Sequence, residues 1–249
     1  MVESRIVDAG RGWQWIVDGF NRFRLNPLVW IAITILLALL WMVSLAIPLL
    51  GPLLFNLFSP ALFAGLMLGC RAQDSGEALA LGHLFAGFRK HASPLVTVGG
   101  VYLIGTIIVL GIVLVTAGGT MLPAALSKPG ADLETVAAAI RSLALALAIG
   151  ATAYLPLLML IWFAPLLVVF DGLAPVDAMK CSFAACWKNV LPFLVYGVAV
   201  VVLWIVATIP LFLGLVVLLP VLICSVYASY KDLFVPRRAP AGGNPPLAR

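Results

Sequence analysis

The sequence predicts an all-α polytopic membrane protein with six transmembrane helices, arranged as three hairpins that each follow an amphipathic helix at the cytoplasmic face. Of the 249 residues, 63% are hydrophobic and only 10% are charged, whereas roughly 25% are charged in an ordinary soluble domain. The apolar residues form long uncharged blocks and not amphipathic stripes, and basic residues flank those blocks. Both observations indicate that hydrocarbon surrounds most of the chain.

Four uncharged blocks supply the spans: Leu25–Cys70, Ala92–Ser127, Ser142–Phe170 and Asn189–Tyr230. A span needs about 20 residues, so the first and last blocks hold two spans each and the middle blocks one each. Pro48 to Pro52, and Pro210 with Gly214, provide the turns inside the two long blocks. The predicted spans are 28–48, 52–70, 94–117, 142–170, 191–209 and 212–230.

These spans form one predicted membrane domain over 1–235, and the Pro- and Gly-rich segment 236–249 is predicted to be a disordered cytoplasmic tail. Residues 132–150 either extend the fourth span or lie on the outer surface.

The positions of Lys and Arg predict that both termini face the cytoplasm. With six spans and an inner N-terminus, all but Lys128 and Arg141 of the 15 basic residues lie in inner segments. The net charge of +5 is thus explained by topology, and no nucleic-acid partner is expected. The first apolar run is too long for a signal peptide and lacks a cleavage pattern. The predicted location is the bacterial inner membrane.

A pattern of aromatic residues, a basic residue, a proline and then a span occurs three times. Its members are Phe20, Phe23, Arg24 and Pro27, then Phe85, Phe88, Arg89, Lys90 and Pro94, then Phe183, Trp187, Lys188 and Pro192. In the first copy Trp13, Ile16, Val17, Phe20 and Phe23 share one helical face. Such helices either lie among anionic headgroups or close the inner ends of the bundle, and the pattern does not favour one role.

This arrangement predicts roles for three sets of residues. The predicted headgroup contacts are Arg22, Arg24, Arg89, Lys90 and Lys188. The predicted interfacial anchors are Trp13, Phe20, Phe88 and Trp187. The small residues Ala61, Gly65 and Gly69 recur every four residues and predict close helix packing.

Sequence features of an enzyme are absent. No ionisable residue falls at mid-membrane depth, where proton relays and buried catalytic sites need one. The sequence has no zinc-protease helix motif, nucleophile elbow or phosphate-binding glycine loop. Asp171 and Gly172 match only the opening of a membrane phosphotransferase signature and are predicted to end a helix. We therefore expect no catalytic residue, no cofactor and no metal site.

The opening motif Ala9 to Ile16, with Gly19-Phe20, Phe23 and Asn26-Pro27-Leu28, resembles an uncharacterised family of proteobacterial predicted inner-membrane proteins. The segments 85–89 and 162–165 share the resemblance, which covers most of the chain and implies the fold and location only. The repeat is also distantly similar to the membrane domain attached to some glycerophosphodiester phosphodiesterases. This sequence contains no such catalytic domain, and we expect no phosphodiesterase activity.

The sequence thus favours a non-enzymatic protein that organises the membrane or interacts with lipids, with anionic lipids as partners. Two alternatives stay open. A small-solute or lipid transporter could enclose a cavity between its hairpins. An accessory subunit could present Gly65 and Gly69 to a membrane-protein partner or to a second copy of the chain.

Overall fold

The computed structural model describes residues 3–117 and 133–236. Within these ranges the chain forms α-helices, one short 3-10 helix and no strand. The helices are α1 Arg11–Phe23, α2 Pro27–Leu45, α3 Leu50–Asp74, the 3-10 helix Leu81–Phe85, α4 Ala86–Thr116, α5 Leu133–Ile161, α6 Ala164–Asp171, α7 Pro175–Lys188, α8 Val190–Thr208 and α9 Leu215–Phe234. Residues 237–249 of the predicted tail lie outside the described residues.

Six helical segments of the described chain are long and apolar enough to cross a membrane. They are Pro27–Leu45, Leu50–Asp74, His91–Thr116, Val136–Asp171, Val190–Thr208 and Leu215–Phe234. The predicted all-α class and the six spans are confirmed. The fourth segment comprises α5 and α6, which are separated by a break at Trp162 and Phe163. Residues 133–150 are part of α5 and therefore continue the helix of the fourth span, whereas residue 132 lies outside the described residues.

Proline and glycine set several helix boundaries. Pro27 and Pro175 occupy the first positions of α2 and α7, where a missing N–H costs nothing. In α4 the backbone is non-helical at His91, three residues before Pro94, because a proline disturbs the preceding turn. Gly172 has φ +67 and caps the C-terminus of α6, which confirms the helix end predicted at Asp171.

The second predicted surface helix differs from the other two. Where α1 and α7 are separate helices, the second copy consists of the 3-10 helix and the first residues of α4 before the kink at His91. Within the bundle, α2 contacts α3, α4 contacts α5 and α8 contacts α9. The three-hairpin repeat stays a prediction.

The two ends of the bundle differ in composition. The N–H of Arg5 donates to the Leu233 carbonyl at 2.9 Å, so the start and end of the described chain meet at one end. We call this end the basic face, and it carries Arg5, Arg11, Arg22, Arg71 and Lys231. At the opposite end lie the turns at 46–49 and 209–214, which we call the apolar tips.

Candidate lipid-contacting site

Helix α1 lies against α8 and α9 through a stripe of small and aromatic residues. Its buried residues are Gly12, Trp15, Ile16, Gly19 and Phe23. A Cβ added at Gly12 would overlap the carbonyl oxygen of Pro192 in α8. A Cβ at Gly19 would lie 2.6 Å from the carbonyl oxygen of Val221 in α9. These two glycines therefore allow the backbone of α1 to approach both spans, as small residues do between membrane helices.

A buried carboxylate at the end of α9 holds α1 in this position. The indole Nε1 of the fully buried Trp15 donates to Asp232 Oδ2 at 3.0 Å, and Arg11 Nε donates to the same oxygen at 2.6 Å. Arg5 Nη2 donates to the Asp232 carbonyl oxygen at 2.5 Å and to the Val235 carbonyl oxygen at 2.7 Å. The chain before α1 is thus tied to the end of the last span.

A second carboxylate, on the last residue of α3, binds two cations. Arg22 Nη2 lies 2.5 Å from Asp74 Oδ1, and Lys231 Nζ lies 2.6 Å from Asp74 Oδ2. The Arg22 guanidinium also stacks over the Tyr227 ring, 4.6 Å from its centroid. Its Nε and Nη1 atoms are buried and have no hydrogen-bond partner among the described residues. Arg22 therefore keeps unused donors beside the pair.

Beside these ion pairs is a cavity of about 520 Å³. Four cationic side chains line it, and they are Arg5, Arg11, Arg22 and Lys231. The acidic side chains of Asp18 and Asp232 also line it. The Arg5 guanidinium donates to the carbonyl oxygens of Asp232 and Val235. These two hydrogen bonds bring no carboxylate to its positive charge. With Asp74 included, the cations outnumber the carboxylates, and the cavity has the charge that suits an anionic group.

The predicted anchors and headgroup contacts fall into two groups. On α1, Trp13 and Phe20 are about half-exposed, and Arg24 lies over the Phe20 ring at 5.7 Å. On α7, Trp187 is 67% exposed and stacks on Phe183. Arg89 and Lys188 are also exposed.

The remaining nominated residues are placed differently. Phe88 is half-buried with its ring 6.0 Å from Phe58, and Arg22 is mostly buried beside Asp74. Lys90 belongs to α4, but its side chain lies outside the described part of the structure. The roles assigned to all of these residues stay predictions.

The small-residue stripe of α3 is covered by the chain itself. Ala61 is fully buried, and a Cβ added at Gly87 in α4 would overlap its carbonyl oxygen. A Cβ at Gly65 would overlap the His83 carbonyl oxygen, and one at Gly69 would lie 2.9 Å from the Leu79 side chain. The surface that the sequence offered to an accessory partner at Gly65 and Gly69 is therefore occupied by the 3-10 helix and its flanks.

Sequence reasoning missed the residues that hold α1. It grouped Trp13, Ile16, Val17, Phe20 and Phe23 on one helical face and gave no role to Trp15, which the structure buries together with Gly12 and Gly19. The spacing of Gly12, Trp15 and Gly19 was the available signal, because small residues mark the closest approach of two helices. Sequence reasoning likewise assigned no ion pair to Asp74, which ends α3 and binds two cations.

Polar side chains within the spans bond mainly to one another or to their own helix. The hydroxyls of Tyr102 and Tyr154 are 2.5 Å apart and link α4 to α5. The hydroxyls of Tyr196 and Ser225 are 2.7 Å apart and link α8 to α9. Such bonds stabilise helix packing in lipid. In the described ranges no three His, Cys, Asp or Glu residues form a group that could hold a metal ion.

The two cysteines of α7 are poor nucleophiles. Burial raises the pKa of the Cys186 thiol to about 12. Burial, and then the negative charge of Asp171, raises the pKa of the Cys181 thiol. Because the thiolate is the reactive form, both side chains are protonated near neutral pH and act as small packing groups.

Six apolar helices joined to a charged face define a polytopic α-helical membrane protein. The chain is 30% identical over 226 residues to a probable inner membrane protein of Burkholderia thailandensis, covering 89% of this chain and 82% of the relative. It therefore belongs to the same family of inner membrane proteins. No family model matches the sequence, and no solved structure matches it. The distant likeness to the phosphodiesterase-linked membrane domain stays a prediction.

Proposed function

We propose that this protein is a non-enzymatic lipid-binding protein that organises anionic lipids at the cytoplasmic leaflet of the inner membrane. The observation that carries the proposal is the cationic cavity of the basic face, which Arg11 and Arg22 of α1 line, while Trp13 and Phe20 of the same helix are exposed. The aromatic rings of such a face sit at the headgroup level, and the cations meet lipid phosphates.

The charges around the cavity favour an anionic headgroup over a zwitterionic one. Arg5 supplies a charge that these contacts leave unneutralised. Arg24, Arg89 and Lys188 are further exposed cations near the ends of the helices. A basic residue near an anionic membrane surface contributes about 1 kcal/mol to binding, so several together are sufficient to enrich anionic lipid.

The proposal requires the basic face to be the cytoplasmic one. The positive-inside rule favours this orientation, and it agrees with the two chain ends meeting at that face. Epitope tags at the two termini test it. We expect protease to spare both tags in spheroplasts and to remove both in inverted vesicles. Removal of either tag in intact spheroplasts would contradict the orientation.

Lipid retention tests the binding itself. The full chain is purified in a mild detergent, and the phosphatidylglycerol and cardiolipin that remain bound are measured relative to phosphatidylethanolamine. We expect the combined variant Arg5→Gln, Arg24→Gln, Arg89→Gln and Lys188→Gln to lose anionic lipid several-fold. The matched control is Arg141→Gln, which removes an exposed charge from α5 and should change nothing. Equal retention in the combined variant and the wild type would refute the proposal.

A further inference from the structure

The middle of the bundle contains a second cavity, separate from the basic face. Two neighbouring cavities of about 340 Å³ and 500 Å³ lie among the spans. Both are lined by Leu37, Phe55, Phe63, Trp162 and Val226. These shared residues show that the two spaces adjoin each other, and we call them together the central cavity.

The central cavity is long and runs parallel to the helices. On α3 its lining extends from Phe55 to Leu66, which corresponds to about 16 Å at 1.5 Å per residue. Trp41 and Leu219 line it near the apolar tips. An elongated space of this kind fits an unbranched chain better than a compact solute.

The lining is apolar, and its hydroxyl groups are already bonded. Thr34 donates to the Trp30 carbonyl at 2.9 Å, and Ser59 donates to the Asn56 carbonyl at 2.9 Å. The hydroxyls of Tyr102 and Tyr196 take part in the interhelical pairs described above. Water needs two to four polar partners to occupy a cavity, and a polar solute would leave its own groups unpaired here.

One donor of the lining has no partner. The Trp162 Nε1 is buried and makes no hydrogen bond with any described residue. Its ring packs edge-on against Phe193, with centroids 5.8 Å apart, and against Tyr196 at 6.1 Å. A buried N–H without an acceptor is unfavourable in a low-dielectric interior, so the position calls for an acceptor from outside the chain.

The depth of Trp162 indicates which part of a lipid could supply that acceptor. Asn189, next to the first residue of α8, binds the Arg5 carbonyl oxygen at the basic face. Phe193 and Tyr196 follow within two turns, about 5 to 10 Å deeper. Trp162 therefore lies just beneath the basic face, where the ester carbonyls of a bilayer begin, and the cavity continues from there toward the apolar tips.

We propose that the central cavity binds one acyl chain of a glycerophospholipid, whose ester carbonyl accepts a hydrogen bond from Trp162 Nε1. The acyl chain extends along the spans toward Trp41, and the lipid headgroup stays at the basic-face side of the membrane. This site uses no charged residue, so it goes beyond the proposed binding of anionic headgroups and does not depend on it.

Photo-crosslinking of a lipid chain tests the site. The full-length protein is placed in nanodiscs of zwitterionic phospholipid that include a phosphatidylcholine with a diazirine in its acyl chain. Mass spectrometry then identifies the labelled peptides. We expect labelling at Phe63 and Val226, inside the cavity, in addition to the outer surfaces of the spans. Labelling confined to the outer surfaces would overturn the proposal.

A matched pair of substitutions separates the cavity from the surrounding lipid. Val200 lines the cavity, whereas its neighbour Val201 is 59% exposed on the outside of α8. We expect Val200→Trp to reduce labelling at Val226 at least five-fold and Val201→Trp to leave it unchanged. Equal labelling of Val226 in both variants would mean that the acyl chain does not occupy the cavity.

The polar contact is tested by Trp162→Phe, which keeps an aromatic ring and removes only the N–H. We expect the wild type to label several-fold more strongly with an ester-linked lipid than with an ether-linked lipid of equal chain length. The variant should lose this preference. A preference that survives in Trp162→Phe would exclude the hydrogen bond, and this comparison holds even if Val200→Trp does not fold. Neither test uses anionic lipid. The acyl-chain proposal can therefore fail while the proposed function stands.

Discussion

The basic face and the apolar tips are the two ends of one helical bundle, yet different interactions build them. At the basic face, ion pairs join α1 to α9 and α3 to both α1 and α9. At the tips no residue of 46–49 or 209–214 is charged, and the large side chains are exposed. Leu49, Leu211 and Phe212 even adopt positive φ there, at 65, 52 and 66.

The difference between the two ends lies in which groups make the polar contacts. At the tips the backbone supplies its own partners: Phe212 N–H donates to the Thr208 carbonyl at 3.2 Å, and Gly51 N–H donates to the Ile47 carbonyl at 2.9 Å. Such turns expose few unpaired polar groups to lipid. At the basic face, by contrast, side chains provide the contacts and leave charges available. In the ranges 3–117 and 133–236, the side-chain ion pairs are therefore found at the basic face.

The largest expected effect comes from removing α1 from the basic face. Gly12→Leu places a side chain against the fixed carbonyl of Pro192, so the whole helix must move. We expect a loss of about 3 kcal/mol or more in the free energy of unfolding, measured by denaturant titration in mixed micelles. Gly10→Leu is the control, because a Cβ at Gly10 meets nothing within 4 Å. Equal stability of the two variants would show that α1 is not packed as described.

The second prediction compares the lipid-facing middle of α8 with a tip. Val198 is 58% exposed in the span, and Leu211 is 86% exposed at the turn. We expect Val198→Lys to cost about 2.5–3.5 kcal/mol, as a charge in hydrocarbon does, and Leu211→Lys to cost about 1 kcal/mol or less, as at a membrane interface. Membrane-insertion efficiency of α8 measures both. A larger cost at Leu211 would mean that the tip lies inside hydrocarbon or against another protein.

The apolar part of this architecture could be predicted from sequence because lipid imposes it locally. Each span needs only a run of apolar residues, and Leu25–Cys70 shows two such runs around Pro48 and Pro52. The turns at the tips and the helix end at Gly172 follow from proline and glycine in the same way. None of these features requires knowledge of a distant residue.

The contacts of the basic face could not be predicted because they join distant parts of the chain. Asp232 holds Arg11 and Trp15, more than 200 residues earlier in sequence. Nothing next to Asp232 distinguishes it from a solvated acidic residue at a helix end. The rotation of α1 also depends on Pro192 and Val221 of other helices. Amphipathic spacing identified the helix, but the surface that it contacts decided which aromatic residue is buried.

The third prediction concerns the buried carboxylate of Asp232 at the basic face. The Asp232 side chain is only 4% exposed and that of Arg11 is 29% exposed. Asp232→Asn keeps the shape but removes the closer of the two carboxylates that pair with Arg11 and leaves only Asp18 at 3.9 Å. We expect a loss of about 2 kcal/mol, less than for a fully buried pair. The control is Asp177→Asn, an exposed residue in the first turn of α7. Denaturant titration should show no change for the control, and a similar loss in both variants would contradict the assigned role.

The smallest effect on stability, and the sharpest test of the comparison, comes from Asp74→Asn. Its carboxylate is 26% exposed and Lys231 is 44% exposed, so these ion pairs are screened by solvent, and we expect a loss below about 1 kcal/mol. The same substitution frees Arg22 and Lys231, two of the cations that line the basic cavity. Retention of anionic lipid should therefore rise several-fold, since each freed cation adds about 1 kcal/mol toward an anionic surface. Glu77→Gln, an exposed acid in the next loop, should leave retention unchanged. Lower retention of anionic lipid in Asp74→Asn would contradict this prediction. It would mean that Asp74 positions Arg22 and Lys231 for the lipid and does not compete with the lipid for them. Lipid binding at the basic face would then depend on its ion pairs rather than on its excess charge.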